Sequence, residues 1–305
     1  MPAKRSTIST RAMAKINLSL RVLGVRADGY HELRTVFQSI ALHDTLSVGA
    51  EPGPFRLECD DSACPTDQTN LVWRAAQQLW TASGRRGAPQ DTVVTLVKRI
   101  PMQAGLGGGS SDAAAALVVL SKLWRTHDAD LAAIGASIGA DVPYFLEGGS
   151  VLGLDRGDVL FPLADAPPRW VALAVPDFGV STSDAYAWLD HAPSGPGAAV
   201  GDGTPFGIRN DLQAAVARRH PEIARLVSAL QSRGADAASM TGSGSAVFGL
   251  FARRPDAERA LRALTGRSCR TFVTRTVNRA VYQRLAGIPA HRINFPFAPR
   301  GVNRI

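Results

Sequence analysis

The stretch Ile100-Pro101-Met102-Gln103-Ala104-Gly105-Leu106-Gly107-Gly108-Gly109-Ser110-Ser111-Asp112 limits what this chain can fold into more than any other. Ahead of it, Thr92 to Val97 is rich in β-branched residues and reads as a strand. Behind it, the alanine and leucine run from Ala113 to Leu120 has high helix propensity, with Ser110 or Ser111 as a suitable N-cap. Four glycines therefore fall between a strand and the first turn of a helix. Glycine admits positive φ and carries no Cβ to keep a ligand off the backbone. The free amides of a helix start, at the positive end of its dipole, favour an anion. The stretch reads as a phosphate cradle. It is neither of two familiar ones: no lysine follows the glycines as in the ATPase P-loop, and the dinucleotide pattern counted from Gly105 ends on Ser110. Asp112 suits the dipole equally well and can act as a cap.

Composition narrows the setting. The chain has 305 residues, 45% hydrophobic and 20% charged, ordinary for a globular protein with a substantial core. No apolar run reaches the length of a membrane span, and the basic stretch Met1 to Arg11 lacks an apolar core, so it reads as a disordered leader. The formal charge of +8 is spread without basic blocks or interleaved aromatics, which favours small polyanionic ligands over nucleic acid. The three cysteines form no C-x-x-C pair and the six histidines show no ligand spacing. Reduced thiols, a cytoplasmic location and no protein-bound metal are expected.

Ala14 to Val22 alternates: Ala14, Ile16, Leu18, Leu20 and Val22 share one face, while Lys15, Asn17, Ser19 and Arg21 share the other. Periodicity alone makes this a half-buried edge strand with solvated charges. Asp28-Gly29 is a hairpin turn with Tyr30 and His31 beside it. Thr35–Leu42, Thr45–Val48 and Phe55–Cys59 read as strands, and Asn70 to Trp80 as a helix with Asn70 as its cap. Ala129–Ile138 reads as a helix, and Asp141 as part of a tight turn because Val142 precedes Pro143. In the second half, strands are expected at Trp170–Val175 and Thr271–Val277. Helices are expected after Thr182 or Ser183, from Asn210, at Glu222–Leu230 and near Ala257–Leu264. Residues 191–207 read as a mobile surface loop.

The pattern Pro101-x-x-x-Gly105-Leu-Gly-Gly-Gly-Ser-Ser-Asp-Ala-Ala resembles the phosphate loop of the GHMP kinases, named for galactokinase, homoserine, mevalonate and phosphomevalonate kinases. Ala14-Lys15-x-Asn17, Gly139-Ala140-Asp141-Val142-Pro143 and Met240-Thr241-Gly242-Ser243-Gly244 extend the resemblance, which runs from about Ala12 to about Arg279. It implies an α+β, two-domain GHMP kinase fold. The N-terminal domain, residues 1–166, would be ribosomal protein S5 domain 2-like, and the C-terminal domain, residues 167–305, ferredoxin-like α/β with a basic tail.

The same resemblance implies ATP-dependent phosphorylation of a small alcohol, with Mg²⁺ delivered by ATP. Lys15 and Asp141 would be catalytic, Asp141 as the base. Residues 101–111 would bind ATP, namely Pro101, Met102, Gln103, Ala104, Gly105, Leu106, Gly107, Gly108, Gly109, Ser110 and Ser111. Gly242 and Gly244 would join them, with Asn70 and Lys98 near the adenine. Asp28-Gly29-Tyr30-His31 implies a substrate carrying cytidine diphosphate. Asn17, Tyr30, His31, Thr182 and Tyr186 would contact it, and Tyr30 and Tyr186 could sandwich the pyrimidine. A monomer or weak homodimer without nucleic-acid or membrane partners is expected. The alternatives are a GHMP kinase for a non-nucleotide alcohol, and a basic nucleotide- or RNA-binding module without catalysis.

Overall fold

The computed structural model describes residues 7–126, 128–192, 207–264 and 269–289. Its elements are, in order, β1 (Thr7–Val25), β2 (His31–Pro54), β3 (Arg56–Cys59), α1 (Leu71–Ala82), β4 (Gln90–Val97), α2 (Gly108–Leu123), α3 (Leu131–Ile138), α4 (Tyr144–Glu147), β5 (Ser150–Asp155) and β6 (Val159–Pro162). There follow β7 (Trp170–Pro176), α5 (Thr182–Asp190), β8 (Arg209–Asn210), α6 (Gln213–Arg219), α7 (Glu222–Gln231), β9 (Ala237–Met240), β10 (Val247–Phe251), α8 (Arg254–Arg262), β11 (Cys269–Arg275) and α9 (Arg279–Ala286).

The chain makes two lobes, each a sheet with helices on one side. β1 and β2 form a long hairpin over the Asp28-Gly29 turn, where Gly29 takes φ +82° and Arg26 N donates to Tyr30 O at 2.7 Å. The first sheet has seven strands in the order β3-β4-β2-β1-β8, with β5 pairing β2 and β6 pairing β5. Helix α2 runs through its core and is buried from Ser111 to Leu120, which is why the run from Ala113 to Leu120 is apolar on every side. The second sheet has four strands in the order β11-β7-β10-β9, all antiparallel. Chain order β7-α-β9-β10-α-β11 with that spatial order is the split βαβ pattern of ferredoxin-like domains.

A third apolar cluster joins the lobes. Ala14, Ile16 and Ile40 of the first sheet meet Val171, Leu173, Val175 and Phe248 of the second, with Ile100, Ala104 and Leu106 of the glycine stretch between them. β7 is therefore buried on both faces, Ala172 and Ala174 turning instead to the helices of its own lobe.

Several sequence expectations are corrected. Thr7 to Arg11, expected in a disordered leader, lie in β1, while residues 1–6 fall outside the described ones. β1 is no solvated edge: β2 flanks one side, β8 pairs Ser19 and Leu20 on the other, and the buried Lys15 and Asn17 bond to Leu106, Thr35 and Thr241. The two expected strands between Thr35 and Val48 are one; Asp44, which interrupts the apolar pattern, is itself fully buried. Neither Ser110 nor Ser111 caps α2, since the N-cap is Gly107 in the left-handed region with no side-chain bond. Ser181, not Thr182 or Ser183, caps α5 by accepting from Asp184 N. The helix expected from Asn210 begins at Gln213, after the short strand β8.

A division at residue 166 follows the sheets only in part. β8 adds to the first sheet, and α9 and the residues just after it return to the first core through Tyr282, Ala286 and Ile288. The expected loop over residues 191–207 falls mostly, and the tail from Ala290 wholly, outside the described residues.

Tyr282 is 1% exposed and its hydroxyl donates to Phe145 O at 2.7 Å, docking α9 on α4. Tyr282→Ala is expected to cost about 3–5 kcal/mol, the usual range for a buried aromatic. Denaturant unfolding measures this, and a loss below about 1 kcal/mol would show that α9 contributes little to the first core.

Candidate active site

Between the lobes lies a cleft of about 1060 Å³ whose walls include the glycine stretch, Lys15, Asp141, Tyr30, His31 and Tyr186. The glycine stretch forms its floor, and a side chain at two of its positions would strike a neighbour. A Cβ on Gly107, where φ is +72°, would lie 2.6 Å from Phe145 Cζ; on Gly105, where φ is +74°, it would lie 2.1 Å from Thr241 O. Helix α2 therefore opens at the cleft with its first amides uncapped by any side chain.

The base of the loop is pinned from below. Asp44 Oδ1 accepts from Arg99 N and Ile100 N, at 2.5 and 2.8 Å. Asp44 Oδ2 takes the ammonium of Lys98, which also donates to Asp112 Oδ2 at 2.7 Å. Strand β2, the exit of β4 and the first turn of α2 are thus tied through one buried cation. Two carboxylates around one lysine leave a negative charge in excess. Burial, outweighing the attraction of Lys98, pushes the Asp112 carboxyl up to about 8, and its Oδ1 has no hydrogen-bond partner. Although burial alone would lower it, the two acids hold Lys98 above its ordinary value.

Lys15 is bound differently. The β1–β2 register shifts between Met13 and Lys15 and again between Asn17 and Ser19, which re-aims the segment between them. Lys15 N donates to Leu106 O at 3.0 Å, and Lys15 Nζ donates to Asn17 Oδ1 at 2.7 Å. The Asp141 carboxylate lies 3.7 Å from that ammonium. Burial pulls Lys15 below its ordinary pKa, with Asp141 pulling the other way. Asn17 continues the chain of bonds, Nδ2 donating to Thr35 Oγ1 at 2.7 Å and its backbone N to Thr241 Oγ1 at 3.0 Å. Asp141 itself sits on the turn after α3, where Val142 N donates to Gly139 O.

At the other end of the cleft, His31 stacks on Tyr186, ring centroids 4.5 Å apart and planes 26° apart. His31 Nε2 lies 2.9 Å from Asp190 Oδ1. Tyr30 is 59% exposed, with the Arg156 guanidinium 5.4 Å from its ring centre. Thr182 Oγ1 is 3.2 Å from Ser243 Oγ, across the mouth of the second glycine turn.

Most of the sequence-predicted site residues meet in this cleft, from Lys15 and Asn17 through Pro101 to Ser110, with Lys98, Asp141, Thr182, Tyr186 and Gly242. Three do not line it. Asn70 Oδ1 caps α1 by accepting from Val72 N at 2.8 Å, while its amide donates to Pro65 O. Ser111 turns inward on α2 and donates to Met13 O at 2.7 Å. Gly244 lies behind Gly242, where a Cβ would meet Met240 Sδ at 2.8 Å. The ring lying on Tyr186 is that of His31. Sequence reasoning missed Asp44, Arg156, Asp190, Thr241 and Ser243. Thr241 and Ser243 adjoin a recognised glycine motif; for the other three no local pattern signals the contact.

A glycine loop opening on a buried lysine and a carboxylate, held between two lobes of these topologies, is the architecture of small-molecule kinases of the GHMP class. The models "GHMP kinases N terminal domain" and "GHMP kinases C terminal" match residues 70–149 and 195–270. A 4-diphosphocytidyl-2-C-methyl-D-erythritol kinase of Moorella thermoacetica is 41% identical over 282 residues, covering 87% of this chain and 98% of the relative. The crystal structure of a 4-(cytidine 5'-diphospho)-2C-methyl-D-erythritol kinase superposes with TM-score 0.72 at 34% identity, covering 88% of this chain and 99% of that one. Homoserine kinase from Cytophaga hutchinsonii shares the fold, at TM-score 0.67 and 17% identity over 91% of this chain and 96% of its own. The chain belongs to the GHMP kinases and, within them, to the 4-diphosphocytidyl-2-C-methyl-D-erythritol kinase family.

The buried cluster has a measurable pH signature. Because the folded-state pKa of Asp112 is raised, its neutral form contributes stability that is full below the ordinary carboxylate range and lost as pH rises towards 8. Asp112→Asn, neutral and of the same shape, is expected to flatten the fall in unfolding free energy between about pH 5 and pH 8. Equal slopes in wild type and variant would show that Asp112 stays ionised throughout. Lys98→Met, which strands two buried acids, is expected to cost about 3–5 kcal/mol.

Proposed function

We propose that this chain transfers the γ-phosphoryl group of ATP to the 2-hydroxyl of 4-diphosphocytidyl-2-C-methyl-D-erythritol, a step of non-mevalonate isoprenoid precursor biosynthesis. The observation that carries the chemistry is the Lys15–Asp141 pair, 3.7 Å apart at the edge of the glycine floor. The relatives' shared name supports the substrate.

The floor suits a triphosphate. Positions 107 to 109 offer backbone amides with no side chain above them, and a Cβ at Gly108 would come within 3.0 Å of Ile100 Cγ2. Anion binding there uses the uncapped amides and the dipole of α2. Mg²⁺ delivered with ATP would neutralise phosphate charge and, as a hard cation, would take oxygen ligands, of which Ser110 supplies one along the cleft wall.

The acceptor hydroxyl attacks the γ-phosphorus, the bond to the ADP oxygen breaks, and the hydroxyl proton passes to Asp141. Asp141 is suited to this task because its side chain is one-third exposed, at 34%, towards the cleft, while Lys15 beside it is buried at 4%. Lys15 holds the carboxylate in place and offsets the charge that spreads over the phosphoryl oxygens. Asn17, fixed by Thr35 and Thr241, orients Lys15 from its other side. Tyr30, His31, Thr182 and Tyr186 form the end of the cleft that receives the cytidine. We further propose a cytoplasmic enzyme divided near residue 166, with α9 belonging to the first lobe.

Asp141→Asn and Lys15→Ala are each expected to lower kcat by about 10²-fold or more while leaving the fold intact, as loss of a proton acceptor or of a charge-stabilising donor does. ADP release with ATP, Mg²⁺ and the cytidine substrate is the measurement. Near-normal turnover by Asp141→Asn would remove the base from this scheme. No ADP release by the wild-type chain, with turnover of a non-nucleotide alcohol instead, would remove the cytidine substrate.

A further inference from the structure

His31 and Asp190 come from different lobes, His31 from the start of β2 and Asp190 from the end of α5. They meet on the cleft wall, and two contacts hold the imidazole. Its face lies on Tyr186, and its Nε2 meets Asp190 Oδ1, one helical turn further along α5. The histidine side chain is 13% exposed and that of Asp190 43%. A carboxylate on the last residue of a helix stands at the negative end of the dipole, which disfavours it. Helix formation therefore does not account for an acid at this position, whereas the bond to His31 does.

That bond has a consequence for the ring. An ionised carboxylate only accepts, so Nε2 must carry the hydrogen, and in neutral imidazole the other nitrogen is then an acceptor. Nδ1 of His31 makes no hydrogen bond with any described residue. Cytosine and uracil differ at this level of detail: at position 4 the first has an amino group that donates, the second a carbonyl that accepts.

We propose that Asp190 is a positioning residue for base selection: by accepting Nε2–H it fixes the His31 tautomer, so that Nδ1 takes the 4-amino group of cytosine and rejects the 4-carbonyl of uracil. This rests on the cytidine substrate proposed above. Asp190 does not touch the base; it acts through His31. Tyr30, open to solvent beside Arg156, offers the face against which the pyrimidine lies.

The test compares kcat/KM for the cytidine substrate and for its uridine analogue, at about pH 8, above the ordinary imidazole range. Wild type is expected to favour cytidine strongly, since sites built around a polar partner discriminate steeply when it is missing. Asp190→Ala is expected to reduce the cytidine-to-uridine ratio by about tenfold or more, mainly by losing activity on cytidine. A parallel loss on both substrates with an unchanged ratio would overturn the proposal, because a merely structural role moves both alike. A second measurement needs no variant at position 190. In ¹⁵N-histidine-labelled wild-type chain, with the His31 signals assigned by their absence in His31→Gln, Nε2 is expected to be protonated and Nδ1 not. Protonation on Nδ1 alone would overturn the proposal even if Asp190→Ala failed to fold. Failure of the wild-type chain to turn over the cytidine compound would instead strike at the substrate, and is read separately from the ratio.

Discussion

The first turn of α2 starts on Gly107, in the left-handed region, with no side chain bonded to the amides that follow. Uncapped helix amides away from water are costly unless something supplies acceptors. Here the cleft lies directly in front of them, and every neighbouring element is arranged to keep it there. Asp44 and Lys98 tie down the loop that leads in. Lys15 N grips Leu106 O, and Ala246 N of the second lobe grips Ala104 O. The loop is therefore rigid from both sides before any ligand arrives, which lowers the ordering cost of binding.

Two buried lysines stand about this loop, and their surroundings separate their tasks. Lys98 is saturated by two carboxylates, one of them fully buried, and is held charged. Such a triad costs much desolvation and contributes chiefly when intact. Lys15 has one neutral amide oxygen at bonding distance and a carboxylate further off. Its charge is less completely matched, so it retains capacity to interact with a phosphoryl group. The same residue type is structural in one place and chemical in the other because of how many acceptors surround it.

The lobes meet over an apolar seam rather than a polar one. Residues of β1, β2, β7 and β10 pack there with the glycine stretch itself, so movement of one lobe would expose Leu173 and Phe248 to water. Burial of that kind, at about 25 cal/mol per Å², holds the walls of the cleft at a fixed distance. The His31–Asp190 and Thr182–Ser243 contacts then act across an already fixed gap.

Much of this was legible in the residues themselves. The glycine stretch announces a strand, a bare turn and a helix because only glycine tolerates those angles and approaches. Alternation in β1 and amphipathic spacing in α1 and α7 follow from periods of about 2 and 3.6. Local pattern could not say that the polar face of β1 is buried, because Leu106 and Thr241, which bond to Lys15 and Asn17, lie far later in the chain. Nor could it separate a cap from a ligand: Asn70 and Ser111 are spent on Val72 N and Met13 O, bonds set by where neighbouring backbone falls. The sequence by itself determined which residues could cradle an anion and which carboxylate stood on a turn. Only the tertiary structure decided that Asp44 and Asp112 share one lysine, and that His31 finds Asp190 across the cleft. Such contacts join positions far apart in the chain, and their geometry arises only when packing of the two sheets fixes the distance between them.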